Sequence, residues 1–355
     1  MPFDRLEAMF RRFTWRITSN YVSPWELEEL KGEIGRYEEW CSAWSARAAD
    51  HARRGDEARA AGRRRSAGDA YVRAALFYHW ASFLFAADLD QLHDALVSLA
   101  ACWRQAASLV SPPMELIEVP FEGATLHGYL RIPPEPARPP LVLLLPGADS
   151  TKEELYNLGE HLLERGVAFA AFDGPGQGLV SFDLKLRHDF EVPVGVMLDH
   201  LSDRKDVDTH RIAVGGISYG GMFACRAAAF DERVRAVLSM SSWYSSAGRF
   251  SGMDPLSQVG LRHYMGPDPA ALQDQMTLAG VAERIRVPVL QIYGGQDPAS
   301  PPEEAYRVAA EARGPVETVV FEEGVHVCNN IWYKARPLAA DWLAERLARP
   351  EEASP

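Results

Sequence analysis

Beyond Pro113 the chain repeats one pattern. A short, uninterrupted apolar run is followed by a longer stretch with helical spacing. The runs are LVLLLP (141–146), VAFAAFD (167–173), RIAVGGIS (211–218), VRAVLSMSS (234–242), VPVLQIYGG (287–295) and VETVVFEEG (316–324). Runs this short, with little polar alternation, fit strands buried on both faces. Between them, KEELYNLGEHLLERG (152–166), VPVGVMLDHLSDR (192–204) and GGMFACRAAAF (220–230) read as helices. Strand–helix alternation of this kind implies a mostly parallel sheet with helices on both faces, an α/β architecture. A hairpin precedes it: ELIEVPFEGATLHGYLRIP (115–133) folds back at Glu122-Gly123.

Residues 1 to 115 have a different texture, almost free of strand-like runs. Three helical stretches stand out: 25–54 after Ser23-Pro24, 66–88 starting at Ser66 with Asp69 three residues on, and 90–110 after Asp88. Ser111-Pro112-Pro113 ends the last of them. The expected organisation is a helical domain over 1–115 and an α/β domain over 116–355, with a helical excursion at about 243–285. The aromatic stripe Tyr71, Leu76, Phe77, Trp80 and Phe83 reads as core. The basic run HARRGDEARAAGRRR (51–65) reads as a solvated helix face and loop, because Asp56 and Glu57 interrupt it and no aromatics interleave.

The net charge of -12 argues against binding nucleic acid through the bulk surface. The four cysteines are scattered without a C-x-x-C pair, so neither a disulfide framework nor a zinc site is expected. No apolar run approaches the ~18 residues of a membrane span. MPFDRLEAMF lacks the basic start and apolar core of a signal peptide, so a cytoplasmic protein is expected.

The chemistry concentrates in VGGISYGG (214–221), where Gly216-Ile217-Ser218-Tyr219-Gly220 fits G-x-S-x-G. A buried strand precedes it and a helix follows, the setting in which a serine is mounted on a sharp turn above a sheet. A serine hydroxyl needs a base. In this strand order the acid ends a later strand and the base follows the last one. Asp297 lies just past VPVLQIYGG and His326 just past VETVVFEEG. His161 and His200 fall in helices, His127 in the hairpin, and His51, His79 and His93 in the helical half. Ser218, Asp297 and His326 are therefore the candidate nucleophile, acid and base. The N–H of Tyr219, at a helix start, is one candidate oxyanion donor. The second should come from the loop after LVLLLP, with Ala148 first and Asp149 next. Ser150 and Glu153 there also form a capping-box pattern. Asp149, Trp243, Tyr244 and Tyr78 are candidate substrate contacts. DGPGQG (173–178) does not have dinucleotide-site spacing, Asp173 reads as a turn former, and VGGISYGG lacks the Lys-Ser/Thr of a phosphate loop, so no cofactor and no metal are expected.

PGADSTKEE, FDGPGQG, RIAVGGISYGG, YGGQDP and EEGVHVCNN, in this order behind SAGDAYVRAALFYHWASF, resemble the dihydroxypseudooxynicotine hydrolase group of α/β-hydrolases, itself similar to FrsA-type proteins. The resemblance runs from about Ser66 to Trp342. It implies an α/β-hydrolase whose N-terminal helical domain caps the active site, a homodimer, and hydrolysis of a carbon–carbon bond next to a carbonyl in a small molecule. The group also carries a functional glutamate after the strand that follows the nucleophile helix, whereas SSWYSSAGRFSGM (241–253) has no acidic residue. Ester, lactone or thioester hydrolysis therefore stands beside carbon–carbon cleavage. A non-hydrolytic acyltransferase or cyclase using the same serine is the alternative, and a catalytically idle protein-binding scaffold is a third reading.

Overall fold

The computed structural model describes residues 3–348. The chain forms two compact units, one made of Met1–Leu116 with Asp254–His263 and the other of Ile117–Met253 with Tyr264–Pro355.

The first unit is helical: α1 (Phe3–Thr18), α2 (Pro24–Glu33), α3 (Trp40–Ala60), α4 (Arg64–Ser82) and α5 (Leu89–Ala107). Its core is aromatic, with Trp40, Trp44, Trp80, Phe77, Phe83 and Phe85 fully buried. Aromatic bodies bury a large apolar area each, so few residues close the core. Tyr71 and Leu76 are buried with them, as the stripe predicts. Ser23 caps α2 in a complete capping box with Glu26, and Asp88 caps α5 through the N–H groups of Asp90 and Gln91.

The helical unit departs from expectation at four points. The run 25–54 is two helices, because Ile34 is extended and the Glu39 carboxylate takes the N–H groups of Gly35 and Arg36. The helix expected from Ser66 begins at Arg64, without a side-chain cap. α1 was not anticipated, although Leu6, Met9, Phe10 and Ile17 line one buried stripe. Segment 254–263, from the predicted excursion, belongs to this helical unit: Arg12 Nη1 meets Asp254 Oδ2 at 2.8 Å, and Gly260 packs on the Leu84 backbone.

The second unit is built on one eight-stranded sheet in the order β1-β2-β4-β3-β5-β6-β7-β8. The strands are β1 (Met114–Phe121), β2 (Ala124–Arg131), β3 (Leu141–Leu145), β4 (Ala168–Asp173), β5 (Ile212–Ile217), β6 (Val234–Met240), β7 (Val289–Gly294) and β8 (Val316–Phe321). β2 runs antiparallel to β4, and every pairing from β4 to β8 is parallel. The helices are α6 (Tyr156–Leu163), α7 (Val180–Asp183), α8 (Glu191–Ser202), α9 (Tyr219–Phe230), α10 (Pro255–Met265, which begins in the helical unit), α11 (Pro269–Gln275), α12 (Glu303–Glu311) and α13 (Trp332–Leu347). β3, β4, β5 and β7 are buried at every residue, as strands covered on both faces must be. The register sets Leu145 beside Gly216 and Gly216 beside Ser239, so the carboxyl ends of β3, β5 and β6 open at one level. Among the described residues no helix is long and apolar enough to cross a membrane.

Candidate active site

Ser218 sits between β5 and α9 with φ 56° and ψ -124°. A non-glycine residue in this region is strained by about 1–3 kcal/mol, so its surroundings must hold it there. Its N–H donates to Met240 O at 2.8 Å, and its C=O accepts from Gly221 N–H at 3.0 Å. The neighbouring glycines are sterically required. A methyl group on Gly216 would lie 2.1 Å from the Gly220 backbone, and one on Gly220 would lie 2.1 Å from Leu145 O. Tyr219 is the first residue of α9, where unpaired N–H groups and the helix dipole favour negative charge. Its ring is buried, its hydroxyl accepts from Gln273 Nε2 at 2.8 Å, and burial pushes its pKa up to about 12.

Asp297 and His326 come together past the ends of β7 and β8. Asp297 Oδ2 lies 2.7 Å from His326 Nδ1. Oδ1 accepts from the N–H groups of Ala299 and Ser300 at 2.9 and 3.1 Å. The Asp297 side chain is fully buried, so these bonds replace its hydration. The loop carrying His326 is held on both sides. Val325 N–H donates to Asn330 Oδ1 at 2.9 Å, and Val327 N–H to Ser241 Oγ at 2.8 Å. Ser241 directly follows Met240, the residue whose carbonyl anchors Ser218. Among the described residues Ser218 Oγ makes no hydrogen bond, so the His–Asp pair is formed while the serine hydroxyl is unengaged. Such bonds commonly tighten only with substrate bound.

The loop after β3 passes beside the serine: a methyl group on Gly147 would lie 3.4 Å from Ser218 Cβ. Ala148 is buried, and its N–H donates to no backbone carbonyl among the described residues. The capping box expected from Ser150 and Glu153 does not form. Thr151 precedes a short 3-10 turn without a side-chain cap, and Ser150 Oγ bonds Glu154 instead. Lys152 is the residue that ties this loop down. Its N–H and Nζ reach the two oxygens of Asp173, each at 2.7 Å, and Nζ also meets Glu153 Oε1 at 2.7 Å. Burial opposes the Lys152 charge, but the two carboxylates outweigh it and raise its pKa. Burial pushes Asp173 up to about 6 against the pull of Lys152. Asp173 is thus an anchor for this loop as well as a turn residue. Gln177, four residues on, donates to the carbonyls of Pro146 and Gly147. PGADSTKEE and FDGPGQG carry the family resemblance, but the pattern gave Lys152 and Gln177 no role, since Asp173 and the carbonyls of Pro146 and Gly147 lie far from them in the chain.

The four candidate contacts separate. Trp243 stacks on His326 with ring centroids 6.0 Å apart, and its Nε1 donates to Ala299 O at 2.6 Å. It braces the histidine and, through Ala299, the Asp297 loop. Tyr244 faces α12 instead: its hydroxyl bonds Glu311 at 2.7 Å, and Arg307 lies 3.9 Å over its ring. Tyr78 is half-buried on α4 of the helical unit. The Tyr244 hydroxyl is therefore committed to an internal partner, contrary to its expected role as a substrate contact. Asp149 is half-buried in the Gly147 loop. Glu304 of α12 brings a carboxylate to segment 241–253, but it is occupied by the N–H groups of Tyr244 and Ser245 and by Arg249. Among the described residues no three His, Cys, Asp or Glu side chains are grouped to hold a metal ion.

Comparison with known proteins identifies relatives of the chain. The chain is 29% identical over 333 residues to 2,6-dihydropseudooxynicotine hydrolase of Paenarthrobacter nicotinovorans, covering 89% of this chain and 87% of that protein. It is 36% identical over 239 residues to the α/β-hydrolase pydG of Acremonium sp, covering 62% of this chain and 56% of that one. The crystal structure of 2,6-dihydroxy-pseudo-oxynicotine hydrolase superposes with a TM-score of 0.84 at 27% identity, over 94% of this chain and 95% of the other. Residues 15–259 match the family described as esterase FrsA-like. With an eight-stranded α/β-hydrolase sheet beneath the Ser218 turn, the chain belongs to the FrsA-like esterase family and is an α/β-hydrolase.

Proposed function

We propose that this enzyme hydrolyses an acyl bond of an apolar or aromatic small molecule, by way of a covalent intermediate on Ser218. The bond is that of an ester, lactone or thioester, or a carbon–carbon bond next to a ketone. The observation that carries the reading is the strained Ser218 turn at the head of α9, on the sheet that also carries the Asp297–His326 pair.

In this reading Ser218 Oγ attacks the carbonyl carbon and gives its proton to His326 Nε2. Asp297 accepts the Nδ1–H bond, fixes the tautomer that leaves Nε2 basic, and stabilises the imidazolium. The N–H groups of Tyr219 and Ala148 receive the oxyanion, each worth about 3–4 kcal/mol in comparable sites. His326 then protonates the leaving group, and water releases the acyl chain by the reverse sequence. When the leaving group is carbon, it departs as a stabilised carbanion, such as a phenol-conjugated or 1,3-dicarbonyl enolate. The names of the relatives, both hydrolases, support this chemistry.

The test is Ser218→Ala, assayed on a panel of aryl esters and 1,3-diketones. Turnover is expected to vanish while the fold, read by circular dichroism, is kept. A folded variant with full activity overturns the proposal. Reaction in 18O-labelled water adds a second check. Hydrolysis places solvent oxygen in the acid product, whereas acyl transfer or cyclisation does not.

A further inference from the structure

We propose that Gln177 is a positioning residue that sets the oxyanion hole by locking the Gly147–Ala148 peptide plane. The inference rests on the serine reading above. Gln177 is 1% exposed and spends three of its hydrogen-bonding positions near this loop. Its Nε2 donates to Pro146 O at 3.0 Å and to Gly147 O at 2.8 Å, while its Oε1 accepts from Gly174 N–H at 2.9 Å.

The consequence follows from peptide geometry. The Gly147–Ala148 bond is trans, because the cis bonds among the described residues are Ser111-Pro112 and Glu135-Pro136. In a planar trans peptide the C=O and the next N–H point in opposite directions. Fixing Gly147 O on Gln177 therefore fixes Ala148 N–H on the opposite side of the plane. The plane needs a lock. Two successive buried carbonyls converge on Gln177: Pro146 O would lose this donor without it, and Gly147 O would keep only the longer 3.3 Å bond from Ser150 N–H. Glycine at 147 makes rotation of this peptide cheap, and rotation would turn Ala148 N–H away. The Gly174 bond in turn holds the Gln177 amide the right way round, with NH2 toward the loop. Asp173 pins the far end of the same loop at Lys152, so the turn over 173–178 brackets it at both ends.

The experiment reads serine reactivity without knowing the substrate. The full chain and the variants Gln177→Met, Gln177→Glu and Ser218→Ala are labelled with an alkyl fluorophosphonate, whose phosphoryl oxygen takes up charge as an acyl oxygen does. The limiting rate kinact and the half-saturation KI are measured across pH. Removal of one oxyanion donor costs about 10²–10³ in rate, and loss of its aim should cost about 10- to 100-fold in kinact, with KI changed less than about threefold. Gln177→Glu is nearly isosteric and can still accept from Gly174. When protonated it regains a donor, so its rate relative to wild type should rise as pH falls, while that of Gln177→Met should stay flat. Retained kinact in both Gln177 variants, a change confined to KI, or a pH-independent Gln177→Glu ratio overturns the positioning role while leaving the serine reading intact. Failure of the wild-type chain to label, or labelling of Ser218→Ala equal to wild type, overturns both.

Discussion

Asp297 does two separable jobs, because its oxygens face different ways. Oδ1 closes the turn to Ala299 and Ser300, and Oδ2 meets the histidine. Asp297→Asn keeps the Oδ1 bonds but turns an NH2 toward His326, favouring the wrong tautomer. Steady-state assays should show kcat lower by about 10⁴ with little change in thermal midpoint. Gly220→Ala should do the reverse. Its methyl group lands 2.1 Å from Leu145 O, and a backbone that must move should lose about 1–3 kcal/mol in urea unfolding, misplacing Ser218 as it does so. The placement of Ser218, Asp297 and His326 beyond strand ends was legible because strand ends can be read from apolar runs. The surroundings of Tyr244 were not, because an aromatic next to polar residues reads alike whether it meets a ligand or, as here, Glu311.

The start of α2 shows the same balance over a few turns of helix. Burial alone would raise the Glu26 pKa, but hydrogen bonds from His51 and Ser23 outweigh it and bring it down to about 2. A carboxyl whose folded pKa is depressed contributes stability above its unfolded value, and loses it as pH falls through the folded value. The helical unit should therefore weaken as pH drops from about 4.5 toward 2. Glu26→Gln should flatten that dependence by about 1–2 kcal/mol, allowing for solvent screening of a part-exposed group. Urea titrations of both proteins at pH 6 and pH 3 measure it. The Ser23 cap was visible in sequence because Ser, Pro and Glu sit at fixed offsets. The break at Ile34 was hidden, because helical spacing continues across it and only the carboxylate of Glu39, on the next element, captures the freed N–H groups. Strands were read more surely than helices for a related reason: β3, β4, β5 and β7 are buried throughout, so composition alone marks them.

At the scale of the chain, alternation of runs and helices fixed the sheet as mostly parallel, but not its order. That β4 lies between β2 and β3 depends on pairings far apart in sequence. Membership of 254–263 in the helical unit was hidden for the same reason. Gly260 reports on it: a methyl group there would lie 2.7 Å from Leu84 O, so Gly260→Ala should lower stability by about 1–3 kcal/mol, read as a fall in thermal midpoint of the full-length protein. The chain path has a further consequence in time. Domains made of one continuous stretch can close in order as they leave the ribosome. Here the helical unit waits for residue 263, by which point β1 through β6 have already emerged. Its last pieces therefore arrive while the second unit is half built, and maturation of the two is interleaved rather than sequential. The same path means that no single cut separates the units, so a gene rearrangement that exchanged the helical part would have to carry two segments together.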